Sequence, residues 1–119
     1  MNRGVGSLLA LLLPLAMGCL APSLVSAQAG GSLFRELCAI CHGAAGKGDG
    51  PSAAGLHPRP ADLSDCTVMT GKSNETLFAT IKSGGQGVGR STVMPSWGDA
   101  LTDQQIHGLV AFIRSLCKR

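Results

Sequence analysis

"LCAICHG", at residues 37–43, places Cys38 and Cys41 three positions apart and His42 directly after them. On a helix the two thiols project from the same side, because three residues make nearly one turn. His42 follows about 100° further round the helix axis. This arrangement suits a flat macrocycle laid against the helix, with both thiols bonded to its rim and the imidazole on its central metal. C-x-x-C-H is the signature of c-type haem attachment for this reason.

Three other readings of the motif fit less well. A thioredoxin-like dithiol would need a βαβ context, which the sequence lacks. A zinc site would need a second closely spaced pair of thiolate or imidazole ligands, and the remaining cysteines and histidines supply none. A plain disulfide between the two cysteines leaves His42 unexplained. The motif therefore predicts one covalently bound haem c per chain.

Large apolar side chains are scarce in the middle of the chain. Between Gly43 and Lys72 the large aliphatic or thioether residues are Leu56, Leu63, Val68 and Met69. A small domain commonly needs a metal, a disulfide or a cofactor to complete its interior. The sequence predicts that the haem supplies the interior that this third lacks.

The first 27 residues have the features of a secretory signal peptide. Arg3 provides a positive n-region, an apolar run broken by Pro14 follows, and Val25 and Ala27 supply small residues at a cleavage site. A membrane span would need about 20 apolar residues. We expect an exported, periplasmic protein cut after Ala27, with residues 28–119 as one domain and no transmembrane segment in the mature chain. A lipid anchor at Cys19 stays open as an alternative.

The charge balance of the mature domain is mild. It keeps nine Lys and Arg residues, the chain's ten less Arg3, against seven Asp and Glu. This balance gives no reason to expect nucleic acid as a partner.

Three segments have helical spacing of apolar residues. The first is predicted to open with Ser32 as N-cap and to end at Gly43. The second runs from Asn74 to Ser83, with Ser73 as N-cap and Gly84 as its stop. The third opens with a capping box at Thr102–Gln105 and repeats apolar residues every three or four positions. No alternating strand pattern is present, so the predicted fold is all-α.

A second axial ligand is expected from "VMPSW" at residues 93–97. Pro95 disfavours the helical conformation at Met94, so the thioether is displayed from a stiffened loop opposite His42. Methionine opposite histidine raises the reduction potential of the haem. Met69, His57 and His107 are the competing donors, and structural or exposed roles are commoner for such residues.

The segments "LFRELCAICHGAAGKGDG", "HPRPADL", "ETLFATIKSGG" and "VMPSWGDALTDQQIHGLVAFIRSL" together resemble the small monohaem class I c-type cytochromes. The resemblance covers nearly all of residues 31–116. It implies a cytochrome c-like fold with three or more helices wrapped around a covalently attached haem. It also implies thioether bonds at Cys38 and Cys41, with His42 as proximal and Met94 as distal ligand of the iron.

Further expectations follow from the same resemblance. The first helix would cross the last near Gly31, Phe34, Leu109 and Phe112. Pro58 would buttress the proximal histidine, and Arg59 and Trp97 would meet the haem propionates.

Two cysteines remain once the leader and the haem attachment are accounted for. Cys66 and Cys117 form an even pair in an oxidising compartment, and we expect a disulfide between them. It would close about fifty residues and contribute about 4 kcal/mol in the chain-entropy model.

A haem with both axial positions filled by the protein has no open site for a substrate. The expected function is therefore that of a monomeric periplasmic one-electron carrier, not an enzyme, that meets redox protein partners transiently. The alternatives are a haem subunit of a larger enzyme, or a ligand-binding or peroxidase-like haem protein in which Met94 is displaceable.

Overall fold

The computed structural model describes residue 1 and residues 22–117. This part of the chain is helical and contains no strand, which confirms the all-α prediction. In chain order the elements are helix α1 (Pro22–Leu33), a π-helical segment (Phe34–Cys38), helix α2 (Ala39–His42), a 3₁₀ turn (Ala53–Gly55), helix α3 (Cys66–Thr70), helix α4 (Asn74–Gly87) and helix α5 (Asp103–Leu116).

The start of the first helix differs from the prediction. Helix α1 begins at Pro22, so Ser32 lies near its end and is not an N-cap. The Ser32 hydroxyl instead accepts a hydrogen bond from the Arg35 guanidinium at 3.2 Å. The prediction was wrong because helix α1 continues through the glycine pair before Ser32, where the two glycines lie at a helix crossing.

Helix α1 also runs through the position at which the leader is predicted to be cut, after Ala27. The cut itself stays a prediction. Arg3, the apolar run of the leader and Cys19 lie outside the described residues.

The crossing of α1 and α5 depends on close backbone contact. A Cβ atom added to Gly30 would lie 1.9 Å from the Gly108 carbonyl oxygen, and one added to Gly31 would lie 3.0 Å from the Phe112 ring. The rings of Phe34 and Phe112 have their centroids 5.2 Å apart beside this contact. The crossing therefore lies where the family resemblance places it.

We expect Gly30→Ala to destabilise the folded protein. Alanine gains about 1 kcal/mol of helix propensity over glycine, but the added methyl group would overlap the backbone of α5, and overpacking costs about 1–3 kcal/mol or more. At about 3 kcal/mol for this overlap with backbone, the net loss of about 2 kcal/mol lowers the melting temperature of a domain this small by roughly 8–16 °C. Thermal denaturation followed by circular dichroism measures the change.

Gly55→Ala is the matched control, because a Cβ atom there would have no neighbour within 4 Å. A Gly30→Ala variant that melts at the temperature of the control would contradict the tight crossing.

One hydrophobic cluster forms the interior of the described part of the chain. Its fully buried side chains are Phe34, Met69, Ile106 and Leu109. Helix α5 supplies its apolar stripe, as the predicted spacing requires, and α4 adds Leu77 and Ile81. Residues 43–72 add only Ala53, Leu63 and Met69 to the buried apolar set of the described residues. The middle third thus contributes little interior of its own.

The ends of α4 and α5 follow the sequence signals. The Ser73 side chain accepts from the Thr76 amide and opens α4. Thr102 and Gln105 form the predicted capping box of α5. Regular helix stops in α4 at Gly84, which has φ 72° and ψ 172°, and helical turns resume after it.

Among the described residues, no helix combines the length and apolar character needed to cross a bilayer.

Two ties fasten the α3 region to the end of α5. The expected disulfide joins Cys66 to Cys117, with the two Cα atoms 5.1 Å apart. The Arg114 guanidinium donates to the Met69 carbonyl at 2.8 Å, to the Lys72 carbonyl, and to the side-chain oxygen of Asn74 at 2.8 Å. The loop that precedes α4 is therefore held by a covalent bond and by the half-buried guanidinium of Arg114.

Candidate functional site

The C-x-x-C-H motif occupies the end of the first helical region. Cys38 closes the π-helical segment, and Cys41 and His42 lie in α2. Gly43, with φ 79°, ends the helix. The glycine-rich loop that follows folds back, so that the Gly48 amide donates to the His42 carbonyl at 2.8 Å and the Gly50 amide to the Cys41 carbonyl at 3.1 Å. The loop thus satisfies carbonyls that a helix end leaves unpaired.

Cys38 and Cys41 are free thiols, while the other described cysteines pair with each other. Both are half-buried. Burial, with a smaller contribution from neighbouring Cys41, raises the pKa of the Cys38 thiol to about 11. Nowhere in the described chain do three His, Cys, Asp or Glu side chains gather as they would around a metal ion. The motif is therefore neither a disulfide nor a metal cage of that kind.

The His42 ring is oriented by the loop that precedes α3. Its Nδ1 atom lies 3.3 Å from the Ala61 carbonyl oxygen, which leaves Nε2 as the other ring nitrogen. Burial lowers the pKa of His42, and the contact with Ala61 opposes this in part. The Ala61 carbonyl thus makes this contact with Nδ1, and support of the ring by Pro58 stays a prediction.

Met94 lies in the loop between α4 and α5, as predicted. Its side chain is half-buried and packs against the hydrophobic cluster, together with Cys38 and Trp97. Its carbonyl accepts a hydrogen bond from the Gly85 amide at 3.0 Å. Cys38 of the motif and the Met94 side chain thus pack against the same hydrophobic cluster.

The competing donors have other surroundings. Met69 is 1% exposed and belongs to the centre of the hydrophobic cluster. His57 is exposed. His107 stacks on the Phe78 ring, with the ring centroids 4.5 Å apart. Packing or surface exposure thus accounts for the position of each of these residues without a role as a ligand of the iron.

The two residues expected near the propionates differ in burial. Arg59 is exposed, and it makes no hydrogen bond or ion pair within residues 22–117. Trp97 is half-buried against the hydrophobic cluster, and its backbone amide donates to the Ile81 carbonyl at 3.0 Å. Contact of either side chain with a propionate stays a prediction.

These residues fit a covalently attached haem. The donor set consists of two unpaired thiols one turn apart, an imidazole with one nitrogen already engaged, and a thioether at the edge of an apolar cluster. Thiols of this kind form thioether bonds to the macrocycle, and imidazole and thioether are the axial ligands of cytochromes c.

Sequence reasoning missed two features of the site. The Ala61 carbonyl acts through its backbone, so no side chain could signal it. The sequence indicates Gly84 only as a helix stop and gives Gly85 no role, although the backbone of both contacts the loop of Met94. A glycine pair before a Met-Pro loop was the available signal.

Comparison with known proteins connects this geometry to a family. The family profile described as "Cytochrome C oxidase, cbb3-type, subunit III" matches residues 25–113. The chain is 31% identical over 91 residues to the cbb3-type cytochrome c oxidase subunit FixP of Azorhizobium caulinodans, an alignment that covers 76% of this chain and 27% of FixP. The chain therefore spans about a quarter of the length of that relative.

A shorter relative is covered almost completely. The chain is 35% identical over 92 residues to cytochrome c-554(547) of Halothiobacillus neapolitanus, which covers 76% of this chain and 96% of the relative.

Two solved structures are similar. The Kuenenia stuttgartiensis reducing HAO-like protein complex Kustc0457/Kustc0458 matches with a TM-score of 0.65 and 29% identity, over 83% of this chain and 47% of that one. The KustC0563 c-type cytochrome matches with a TM-score of 0.59 over 75% of this chain and 98% of that one, and at 22% identity it shows a common fold.

Proposed function

Since the chain belongs to the cytochrome c family, in the group described as cbb3-type oxidase subunit III, we propose that it is an exported one-electron carrier. Its haem c is bound covalently through Cys38 and Cys41, with His42 and Met94 as axial ligands. The observation that carries this proposal is the donor set: two free thiols and an imidazole engaged at one nitrogen lie in one motif, and Cys38 of that motif and Met94 pack against the same hydrophobic cluster.

Two properties of the His42 ring suit it to be the proximal ligand: its orientation and its neutral state. With the proton on Nδ1, the ring donates to the Ala61 carbonyl, and Nε2 keeps the lone pair that a metal needs. Burial lowers the pKa of His42 and so favours the neutral ring. The contact with Ala61 also fixes the plane of the imidazole relative to α2.

Met94 serves as the distal ligand from the loop between α4 and α5. Pro95 restricts the backbone of Met94, and the half-buried side chain of Met94 packs against the hydrophobic cluster. The bound haem supplies a one-electron iron couple, and a thioether opposite imidazole raises its reduction potential. With His42 and Met94 both holding the iron, the haem would have no position left for a substrate, which favours electron transfer over catalysis.

A second candidate is a haem subunit that stays bound to a larger enzyme. The family profile and the relative FixP both carry the name of an oxidase subunit. Against this, a domain of this size makes up nearly all of cytochrome c-554(547), so such a domain also occurs as a separate protein. Size-exclusion chromatography of the native protein separates the two: a carrier elutes at the mass of one chain, and a subunit elutes with its complex.

Met94→Ala tests the axial ligand. The ferric wild-type protein is expected to show the long-wavelength sulfur-to-iron absorption band, and the variant is expected to lose it. The reduction potential should fall by on the order of 0.1 V, within the range of about 0.8 V over which axial ligands act. Ferrous wild-type protein should bind carbon monoxide slowly and the variant rapidly, because the variant has an open axial position.

Two control variants accompany this test. Val93→Ala changes the exposed neighbour of Met94 and should retain the band. Met69→Leu changes the buried methionine of the core and should retain it as well. A band that survives in Met94→Ala, or rapid carbon monoxide binding by the wild type, would contradict the proposed ligation and favour a ligand-binding haem protein.

A further inference from the structure

We propose that Gly84 and Gly85 are positioning residues for the distal ligand, because they dock the Met94 loop against the end of helix α4. The inference rests on the proposed ligation by Met94 and adds the part of the chain that sets the location of its thioether. Neither glycine would contact the haem; both would act through the backbone of residues 91–96.

The first observation is that the loop completes the end of the helix. Regular α-helix stops at Gly84, and a helix end leaves its last carbonyls without partners. The amides of Trp97 and Gly98 donate to two of these carbonyls, those of Ile81 at 3.0 Å and Lys82 at 2.9 Å. The segment just after Met94 is thus bonded to the last regular turn of α4.

The second observation is that Gly85 holds the loop on the other side of Met94. Its amide donates to the Met94 carbonyl at 3.0 Å, and its carbonyl accepts from the Arg90 amide at 2.7 Å. Backbone hydrogen bonds therefore fix the loop before, at and after Met94, and the helix end is their common partner.

The third observation is that the contact leaves no room for a side chain. A Cβ atom on Gly84 would lie 2.8 Å from the Ser96 amide nitrogen, 2.9 Å from the Met94 carbonyl oxygen and 2.9 Å from the Pro95 carbonyl carbon. A Cβ atom on Gly85 would lie 2.0 Å from the Ser91 carbonyl oxygen. All four atoms belong to the backbone, so only a shift of the whole loop would relieve the overlap.

The backbone conformation at Gly84 reinforces this constraint. Its φ of 72° and ψ of 172° lie in a region that is essentially restricted to glycine. A functional group must be held within about 0.5 Å of its productive position by the shell around it. A loop pushed away from α4 would carry the Met94 thioether out of that range.

The experiment compares Gly84→Ala and Gly85→Ala with the control Gly55→Ala in the haem-loaded protein. Covalent haem content and far-ultraviolet circular dichroism establish folding, and the ferric sulfur-to-iron band and the reduction potential report the ligand. Both variants are expected to keep the haem and the helices, to lose or weaken the band and to have a lower potential. The control is expected to match the wild type.

The outcomes separate this inference from the proposed function. If the wild type lacks the band, the proposed ligation fails. If the wild type has the band and Met94→Ala loses it, but both glycine variants keep it at an unchanged potential, the positioning role is overturned.

A milder variant covers the case in which an alanine in the glycine pair prevents folding. A Cβ atom on Gly98 would lie 2.9 Å from the Lys82 carbonyl oxygen and 2.9 Å from its Cγ atom, which can move. Gly98→Ala should fold and lose the band at a lower temperature than the wild type, before the helices melt. A band as heat-resistant as that of the wild type would overturn the proposal.

If none of the glycine variants folds, hydrogen exchange in the wild-type protein tests the proposal. The amides of Trp97 and Gly98 should be protected from hydrogen exchange as strongly as the amides within α4. Rapid exchange at both would show that the loop is not docked on the helix end.

Discussion

A chain in which Cys38 and Cys41 are both alanine is expected to be colourless and to lose its cooperative unfolding transition. The two thiols are the covalent attachment points in the proposed site, and the interior around them is incomplete without the haem. Residues 43–72 place only Ala53, Leu63 and Met69 in the buried apolar set of the described residues. A domain of this size buries a small fraction of its surface and is only marginally stable without an added interior.

The measurement is thermal denaturation followed by circular dichroism, on variant protein exported in a host that attaches haem to c-type cytochromes. Ile40→Ala is the matched control, because Ile40 lies between the two cysteines and is exposed. The control should remain coloured and melt cooperatively. A double variant that is colourless yet melts as sharply as the control would show that the chain completes its own core.

Replacing both Cys66 and Cys117 by alanine is expected to produce the second largest effect. The disulfide links residues 51 positions apart, and in the chain-entropy model its loss costs about 4 kcal/mol. That is a large share of the roughly 5–15 kcal/mol that stabilises a typical domain. At about 4–8 °C per kcal/mol, the melting temperature should fall by roughly 15–30 °C.

The native fold is nevertheless expected to persist at room temperature in this variant. Arg114 still donates to the carbonyls of Met69 and Lys72 and to Asn74, so the α3 region keeps its second tie to α5. The sulfur-to-iron band should therefore be unchanged at room temperature. A melting temperature within a few degrees of the wild type would contradict the stabilising role of the disulfide.

The parts of the fold that could be predicted are those with a local signal in the side chains. The capping box at Thr102, the N-cap at Ser73 and the helix end at Gly43 each use residues whose preferences are strong at that position. The Cys66–Cys117 pairing followed from counting cysteines once the motif had taken two of them.

The start of helix α1 could not be predicted in this way. The local preference of Gly30 and Gly31 is against helix, but the tertiary contact with Gly108 and Phe112 requires residues without side chains at this crossing. The contact partner lies more than seventy positions away in the sequence. Tertiary packing therefore outweighed the local signal.

The candidate site likewise contains residues with a local sequence signal and contacts that depend on tertiary structure. Cys38, Cys41 and His42 form one contiguous motif, and Met94 precedes a proline, so all four could be named from the sequence. The Ala61 carbonyl and the docking of the Met94 loop on Gly85 are backbone contacts between distant segments. Backbone groups are the same at every position, so only the folded chain reveals which of them meet.

The proposed haem is covalently bound at the C-x-x-C-H motif and completes the interior of this domain. The most direct test of this attachment is the intact mass of the exported protein after denaturation in acid, followed by mass analysis of the peptide that contains residues 38–42. We expect a mass higher than that of the polypeptide by one haem, with the increase carried by that peptide and the colour retained. A folded protein whose denatured chain has the bare polypeptide mass would contradict it.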